Sequence, residues 1–300
     1  MNEDLRHDLV LTHPDRLVFP DDHITKRDVA DYYQNVMSSF LPGVMGRPTS
    51  VYRFPQGLAE RGFFQKHPMR GWHHVQHVRL REERGELDDY LCPGDADSVM
   101  ELVQFGTLEF HPWASRADAL ESPDYLVFDL DPDRTVDWHD VVEAARLIRD
   151  RLARASLKSF VRTTGGKGLH VLVPLFAACP WGIAHRFSSA FAHHLAGEEP
   201  KAFTAKSALG ERQGRIFIDY LRNTRGATSV ASWSLRARTG APVAMPLRWQ
   251  ELVRCPRGDA FDIRSAKRRL ARLRSDPWEG FATTHQRLDE TMRIYAPMAS

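Results

Sequence analysis

Residues 124–131 of the chain read DYLVFDLD, and this stretch decides both the fold and the chemistry that the sequence suggests. An apolar run of this length, rich in valine, phenylalanine and tyrosine, is typical of a buried β-strand. Because side chains alternate along a strand, Asp129 and Asp131 lie on one face and the apolar residues between them lie on the other. Charged carboxylates are seldom buried in a sheet without a partner. The stretch therefore predicts a strand that binds a divalent cation, with an edge strand carrying solvated aspartates as the alternative.

A second strand-like stretch, RIFIDY at residues 215–220, carries a third carboxylate, Asp219. If this strand lies beside the first, the three carboxylates form a cage of the oxygen ligands that Mg²⁺ and Mn²⁺ prefer. The sequence therefore predicts Asp129, Asp131 and Asp219 as candidate metal ligands.

Length and composition indicate an ordinary globular protein. The chain has 300 residues, of which 42% are hydrophobic and 27% charged, enough for one large or two small domains. A net charge of only +2 means that any attraction to nucleic acid has to come from local basic clusters. The three cysteines are far apart and form no C-x-x-C pair, which argues against a disulfide framework and a cysteine zinc site. With no apolar signal core or membrane-length run, we expect a cytoplasmic protein with no membrane partner.

Helical and strand-like segments alternate irregularly along the chain. The patterns predict helices over residues 25–41, 136–155, 181–195 and 263–274, and partly helical structure over 88–105. They predict strands over residues 49–54, 63–67, 72–81, 107–111, 124–131, 159–163, 169–174 and 215–220. Many strand connections are short, so the fold class is α+β rather than a strictly parallel doubly wound sheet.

The glycine-rich loop TTGGKGLH at residues 163–170 is the second chemical signal. Glycines let backbone N–H groups approach an anion, and Lys167 adds a point charge for a phosphate. The spacing is not that of a Walker A loop, and no serine or threonine follows the lysine. Taken alone, the loop is better explained as a plain hairpin turn. His170 either faces the same side as the bound phosphate or is simply packed.

Two further segments carry cationic or aromatic groups. Arg236 and Arg238 are spaced to share one face and suit a triphosphate, although solvated arginines on an edge strand are the favoured interpretation without other support. Phe63, Phe64 and Lys66 in GFFQKH could stack on unpaired bases and hold backbone phosphates. Core phenylalanines are an equally weighted alternative.

Read together, seven segments resemble one family, the polymerase domain of bacterial multifunctional ATP-dependent DNA ligase D in the archaeo-eukaryotic primase superfamily. The segments are residues 62–67, 106–113, 124–132, 163–170, 216–223, 225–228 and 236–242. They occur in family order and span roughly residues 10–280. The resemblance implies two packed mixed or antiparallel sheet layers with flanking helices around a central catalytic cleft. It implies one primase-polymerase domain over residues 1–300, with DNA and 5′-phosphate contacts up to about residue 112 and the catalytic part over 113–300.

The resemblance also implies an activity and its partners. The activity is DNA-templated addition of ribo- or deoxyribonucleotides at gaps or broken ends by a two-metal mechanism, with Mn²⁺ the better activator. The partners are NTP or dNTP and gapped or broken double-stranded DNA with a 5′-phosphate, in a nucleoid-associated setting. Non-homologous end joining and gap-filling repair are both open, as are a partner DNA ligase, a Ku-type end-binding protein, and the choice between a stand-alone protein and an excised domain.

The resemblance assigns roles to particular residues. It makes Asp129, Asp131 and Asp219 the catalytic, metal-binding triad, because two ions about 3.5–4 Å apart repel strongly unless anionic ligands bridge them. The nucleotide-binding residues it implies are His111, Thr164, Lys167, His170 and Arg236. The DNA-binding residues it implies are Arg16 and Lys26 at the 5′-phosphate and Phe64 at the template strand, and the residue pattern adds Phe63 and Lys66 as DNA-binding candidates. The chain departs from the family pattern at Thr164, where many relatives have serine, and over residues 206–212, which are less rich in lysine than expected.

Two other classes of function remain open. A metal-dependent nuclease or phosphohydrolase uses the same carboxylates but needs no nucleotide pocket. A non-catalytic DNA-end-binding module needs no ordered metal triad.

Overall fold

The computed structural model of the protein describes residues 11–82, 85–176 and 178–288. The strands, in chain order, are β1 (Leu17–Phe19), β2 (Ile24–Thr25), β3 (Thr49–Arg53), β4 (Phe63–Gln65), β5 (His77–Arg81), β6 (Leu87–Leu91), β7 (Thr107–Pro112), β8 (Tyr125–Pro132), β9 (Phe160–Thr163), β10 (Leu169–Pro174), β11 (Phe203–Thr204), β12 (Ile216–Asp219) and β13 (Pro246–Leu247). The helices are α1 (Lys26–Phe40), α2 (Ala96–Gln104), α3 (Trp138–Arg154), α4 (Trp181–Glu198), α5 (Trp249–Leu252) and α6 (Ile263–Leu270).

The largest sheet has six strands in the order β11-β12-β8-β10-β9-β13, with β8 and β10 near its middle. All its pairs are antiparallel except β11 with β12. One face is apolar and is covered by α3 and α4, as where Phe128 meets Phe191 with ring centroids 4.9 Å apart. The opposite face of the sheet carries Asp129 and the candidate site.

A second, three-stranded antiparallel sheet in the order β4-β3-β7 lies with α1 and α2 in the N-terminal half. Helix α1 joins the two halves of the chain through buried hydroxyls. Tyr32 donates to the Trp233 carbonyl at 2.8 Å, and Tyr33 donates to the Leu108 carbonyl at 2.6 Å. A buried group in an apolar core has to find such partners, so these bonds fix the helix in place. The predicted α+β class with mixed and antiparallel sheets is confirmed.

One cluster of buried apolar residues extends from Val18 to Leu288. The single domain over 1–300 and its division near residue 112 stay predictions, because residues 1–10 and 289–300 lie outside the described part of the chain.

Helix α1 begins with a capping box. Thr25 Oγ1 accepts from the Asp28 backbone N–H at 3.2 Å, and the Asp28 carboxylate accepts from the Thr25 N–H at 2.8 Å. These two bonds satisfy N–H groups that have no partner inside the helix. Lys26 is therefore placed in the first turn of α1.

Three predicted elements differ in the structure. Only His77–Arg81 of the predicted 72–81 strand is formed, because the Glu101 carboxylate takes the backbone N–H groups of residues 73, 74 and 75 at 2.8 Å each. Residues 87–91 form a strand rather than helix because they pair with β5. Helix α6 ends at Leu270 instead of 274, where the Arg272 N–H bonds to the Arg269 carbonyl in a tighter turn.

No described helix combines the length and the apolar character that a membrane span requires.

Candidate active site

The candidate site lies on the open face of the six-stranded sheet. Asp219 on β12 is directly opposite Asp129 on β8, and His170 on β10 is opposite Asp129 from the other side. Residues opposite each other in an antiparallel ladder share a face, with Cβ atoms about 4.5–5.5 Å apart. Asp131 is two residues farther along the same face. The predicted arrangement of three aspartates on one face of two neighbouring strands is therefore present.

Arg222 joins two of these carboxylates. Its Nε lies 3.2 Å from Asp219 Oδ2 and 3.6 Å from Asp129 Oδ2. Burial alone would raise the pKa of Asp129, but His170 and Arg222 lower it below its usual value. Burial raises the pKa of Asp219, and the Asp129 charge adds to that rise against the opposing effect of Arg222. The two carboxylates are thus electrostatically coupled through one guanidinium.

The Asp131 carboxylate is held by two other cations. Arg212 Nη1 donates to Asp131 Oδ2 at 2.6 Å, and Lys167 Nζ lies 3.4 Å from Asp131 Oδ1 while also donating to the Pro132 carbonyl. The Arg212 guanidinium lies 4.1 Å from the centre of the Phe217 ring. The three aspartates therefore share a face, but Asp131 is engaged separately from the other pair.

A different set of side chains forms a tight group of possible metal ligands. Among residues 11–82, 85–176 and 178–288, only His67, Glu82 and Asp88 place three such atoms within 4.8 Å of one another. Lys66 already forms an ion pair with Glu82 at 2.7 Å, and the set is partly exposed. Sequence reasoning did not single out this group.

His170 is oriented by a buried arginine. Arg162 donates to His170 Nδ1 from Nε at 3.1 Å and from Nη2 at 3.0 Å. A guanidinium can only donate, so Nδ1 is the acceptor and the ring proton of the neutral imidazole is on Nε2. That Nε2 lies 3.4 Å from Asp129 Oδ1. Burial lowers the pKa of His170 to about 4 despite the nearby Asp129. His170 is thus packed and at the same time faces a predicted metal ligand.

Glu109 links two of the predicted nucleotide-binding residues. Its Oε2 lies 2.9 Å from Arg236 Nε and 2.9 Å from His111 Nε2, and its Oε1 accepts from the Ala237 N–H at 2.8 Å. The Glu109 side chain is 5% exposed. Burial alone would raise its pKa, but the His111 hydrogen bond and the Arg236 charge lower it. Solvated arginines on an edge strand are therefore wrong for Arg236, whereas Arg238 is exposed and lies in a bend.

The glycine-rich loop is a hairpin turn between β9 and β10 that packs beneath Arg236. Arg236 Nη1 donates to the Thr164 carbonyl at 2.6 Å, and the Thr164 hydroxyl donates to the Gly168 carbonyl at 3.1 Å. Gly165 has φ +68°, and a Cβ there would lie 2.6 Å from Arg236 Cγ. Only glycine fits at this position. The turn thus brings Lys167 to Asp131 and presents the Thr164 carbonyl to Arg236.

A separate basic pocket of about 190 Å³ lies at the start of α1 and is lined by Arg16, Lys26 and Arg53. Lys26 Nζ donates to the Thr12 carbonyl at 2.8 Å and to Gln104 Oε1 at 2.9 Å. Burial, together with the Arg16 charge, lowers the pKa of Lys26 to about 8. The pocket thus brings together the two basic residues predicted at a 5′-phosphate.

The aromatic segment is on the surface. Phe63 is 46% exposed and Phe64 is 62% exposed, so the core-phenylalanine alternative is wrong. Phe64 stacks on Tyr52 with ring centroids 4.4 Å apart and lies 5.5 Å from the His111 ring. Lys66, by contrast, is held by Glu82 and the Tyr90 hydroxyl, each at 2.7 Å.

Comparison with known proteins identifies the family of this arrangement. The family model described as "LigD, primase-polymerase domain" matches residues 25–278. The chain belongs to the LigD primase-polymerase family. A primase-polymerase domain of this family is a DNA-directed nucleotidyltransferase, so the predicted enzyme class and the resemblance are both confirmed.

Individual relatives agree with the family model. The multifunctional non-homologous end joining protein LigD of Pseudomonas aeruginosa is 37% identical over 293 residues, which cover 94% of this chain and 34% of that protein. The protein of the same name from Mycolicibacterium smegmatis is 31% identical over 247 residues, which cover 81% of this chain and 32% of that protein. The chain therefore spans about a third of the length of these LigD relatives.

A solved structure shows the same fold. The polymerase domain of Mycobacterium tuberculosis ligase D, in complex with DNA, superposes with a TM-score of 0.84 and 28% sequence identity. The match covers 93% of this chain and 99% of that one.

Sequence reasoning missed four charged residues that organise the site: Glu109, Arg162, Arg212 and Arg222. Arg162 could have been predicted, because it is the one cation in a short strand of apolar and hydroxyl side chains, and a buried cation needs a partner. Glu109 and Arg222 lie inside family segments but carry no motif of their own.

Proposed function

We propose that this chain is a DNA-templated polymerase that adds ribo- or deoxyribonucleotides at gaps or broken ends during non-homologous end joining or gap-filling repair. The observation that supports this most directly is that Asp219 faces Asp129 across the sheet, on the face bordered by Lys167 and Arg236. The site roles, the two-metal scheme and the substrates below are part of this proposal.

The donor set fits divalent cations. Carboxylate oxygens from Asp129, Asp131 and Asp219 are the ligands that Mg²⁺ and Mn²⁺ prefer, and arginines already balance their charge. Two bound ions would lower the pKa of a primer 3′-hydroxyl and offset the charge of the leaving pyrophosphate. Asp131 Oδ2 already accepts from Arg212 Nη1, so a bound ion would share this carboxylate with that guanidinium.

The protein's own residues position the nucleotide. Lys167 and Arg236 offset charge on the triphosphate, because donors that are already oriented need little rearrangement as charge develops. Glu109 fixes the Arg236 and His111 side chains relative to each other. His170, held by Arg162, donates from Nε2 towards Asp129 and so limits how that carboxylate can rotate.

The DNA contacts lie in the N-terminal half. Arg16 and Lys26 bind the 5′-phosphate in the basic pocket, where burial strengthens their attraction to an anion. Phe63 and Phe64 present exposed rings on which unpaired template bases can stack. Lys66 contributes less to this surface, since its charge is already offset by Glu82.

The longer LigD relatives suggest the wider setting. Their names place them in non-homologous end joining. We accordingly propose that this chain acts at DNA ends together with a DNA ligase and a Ku-type end-binding protein, in the cytoplasm and associated with the nucleoid.

Extension of a gapped duplex tests the proposal. The full chain is supplied with ribo- or deoxyribonucleotides, Mn²⁺ or Mg²⁺, and gaps with a 5′-phosphate or a 5′-hydroxyl. We expect templated, metal-dependent extension that is stronger on the 5′-phosphorylated gap. Metal-dependent shortening of the primer without extension would identify a nuclease, and DNA binding with neither reaction would identify an end-binding module.

Replacing Lys26 should weaken recognition of the 5′-phosphate specifically. A hydrogen bond to a charged group contributes about 1.5–3 kcal/mol, so Lys26→Ala should reduce affinity for a 5′-phosphorylated gap by roughly 10- to 100-fold. Affinity for the same gap with a 5′-hydroxyl should change little. Fluorescence anisotropy on the two matched duplexes measures both. Arg27→Ala removes a neighbouring exposed cation and is the control; equal losses on the two duplexes for Lys26→Ala would contradict the assignment.

The same lysine should make phosphate recognition depend on pH. Because burial lowers the pKa of Lys26 to about 8, its charge is present below that pH and is lost as pH rises through 8 to 9. The preference for a 5′-phosphate should therefore fall between pH 7 and pH 9. Lys26→Arg, whose guanidinium stays protonated, should keep the preference over that range. Parallel pH curves for the two proteins would contradict this prediction.

A further inference from the structure

A second cavity, of about 430 Å³, lies on the same sheet face as the aspartates but farther towards the start of β8. Tyr125 and Leu172 form its floor, and Arg162 lines it beside them. Trp278 and Phe281, from the segment after α6, close over it. We call this space the aromatic cavity. Its volume is within the range of about 300–1,000 Å³ that small-molecule sites occupy.

Flat apolar surfaces bound one side of the aromatic cavity. The Trp278 and Phe281 rings stack with centroids 4.9 Å apart and an interplanar angle of 21°. Tyr125 adds a third ring, 5.9 Å from Phe281. The Trp278 indole N–H donates to the Val161 carbonyl at 2.9 Å, which fixes this wall to β9. Fixed rings of this kind favour a planar, aromatic ligand.

Guanidinium groups lie beside these rings, with Arg47 5.1 Å from the centre of the Tyr125 ring and Arg162 5.8 Å from the centre of the Trp278 ring. Arg47, Arg116 and Arg162 line the cavity, against the carboxylates of Asp124 and Asp276. The Asp124 carboxylate is already paired with Arg47, since it accepts from Arg47 Nη1 at 2.8 Å and from Nη2 at 2.6 Å. The Nε of Arg47 is buried and has no hydrogen-bond partner within the described residues. Arg116 Nε lies 3.5 Å from Asp118 Oδ1, so Arg162 is the cation of this cavity for which the described residues supply no carboxylate.

Arg162 is the most unusual of these cations. It is 3% exposed, yet its hydrogen bonds reach only the neutral acceptors His170 Nδ1, Ser229 Oγ and Ser232 Oγ. No ion pair joins it to a carboxylate among the residues that the structure describes. A buried charge without a counter-charge is costly, and burial lowers the pKa of Arg162 to about 10. An anionic ligand group beside Arg162 would remove that cost.

We propose that the aromatic cavity is a binding site for a purine nucleoside monophosphate, with its base against Trp278 and Phe281 and its phosphate near Arg162 and Arg116. The ring surface favours the base, and the Arg162 guanidinium, which has no carboxylate partner among the described residues, favours the phosphate. This site is distinct from the nucleotide position proposed beside Lys167 and Arg236, and it does not require that the chain be a polymerase.

Binding to the full chain without DNA and with EDTA present tests this proposal independently of catalysis. Isothermal titration calorimetry compares AMP, adenosine and inorganic phosphate. We expect saturable binding of AMP that is at least tenfold tighter than binding of adenosine or of phosphate alone. No saturable binding of AMP, or adenosine or phosphate binding as tightly as AMP, would overturn the proposal.

Variants locate the bound molecule. Ala282→Trp and Thr284→Trp place a large ring at the edge of the cavity, and at least one should weaken AMP binding tenfold or more. Ala153→Trp, on the exposed face of α3, is the matched control and should leave binding unchanged. Lys167→Ala should also leave it unchanged. Unaltered affinity in both cavity variants, or loss of affinity in Lys167→Ala, would place AMP elsewhere and end the proposal.

Discussion

Asp219→Asn and Asp129→Asn should each reduce nucleotide addition to about a thousandth of the original rate or less. Each tenfold loss of rate corresponds to an increase of about 1.4 kcal/mol in the activation barrier. Removing a carboxylate that ligates a catalytic ion should raise the barrier by several times that amount, because the ion stabilises charge in the transition state. Asparagine keeps the shape, including an oxygen in place of the Asp219 Oδ1 that accepts the Leu221 N–H at 2.9 Å. Steady-state extension of a gapped duplex measures the rate.

DNA affinity of the two variants has to be measured beside their extension rates. The basic pocket and the exposed phenylalanines lie on other elements, so affinity for the gapped duplex should be largely unchanged in both variants. Asp137→Asn is the matched control, because Asp137 precedes α3 without a side-chain capping bond and should tolerate the change. Wild-type extension rates in either site variant would contradict the assignment of the carboxylates.

Glu109→Gln should raise the KM for the incoming nucleotide by about tenfold or more and should also lower stability. Removing one partner of a buried ion pair costs about 3–5 kcal/mol, because the other charge is left uncompensated. Here the remaining group is Arg236, which would lose the carboxylate 2.9 Å from its Nε, and His111 would lose its acceptor. Urea unfolding measures the free energy of unfolding, and initial rates at varied nucleotide concentration measure the KM.

A second buried glutamate separates the two effects. Glu101 is 3% exposed and accepts three backbone N–H groups from residues 73–75, with no bond to Arg236 or His111. Glu101→Gln should therefore lower stability without changing the KM. If Glu109→Gln lost stability but kept its nucleotide KM, Glu109 would be a structural residue and not one that positions the nucleotide site.

The sequence predicted the strands that carry the aspartates because buried strands and same-face spacing are local properties. The same locality explains the errors. Residues 72–76 have strand-like composition, but Glu101, far along the chain, accepts the backbone N–H groups of residues 73, 74 and 75. The sequence around Arg236 predicts a solvated side chain, whereas in the folded chain it pairs with Glu109 of β7. No local pattern encodes such pairings, which arise only when the sheets assemble.

In the candidate site, too, only the local features were predictable. The shared face of Asp129, Asp131 and Asp219 follows from their positions in two strands. Arg212 and Arg222, which hold them, follow from turns whose direction only the folded chain fixes. The separate engagement of Asp131 by Arg212 could not be deduced from the sequence for that reason.

On the proposed function, helix α1 sets a fixed distance between the 5′-phosphate and the incoming nucleotide. Lys26 occupies its first turn, and Tyr32 and Tyr33, about two turns or 10 Å along the axis, are bonded to the chain just before Arg236. The hydroxyl anchors are buried, so the helix holds the basic pocket and the Arg236 segment at a constant separation. We therefore expect a missing stretch of DNA that matches this separation to fit without distortion, and a longer one to loop out the surplus template.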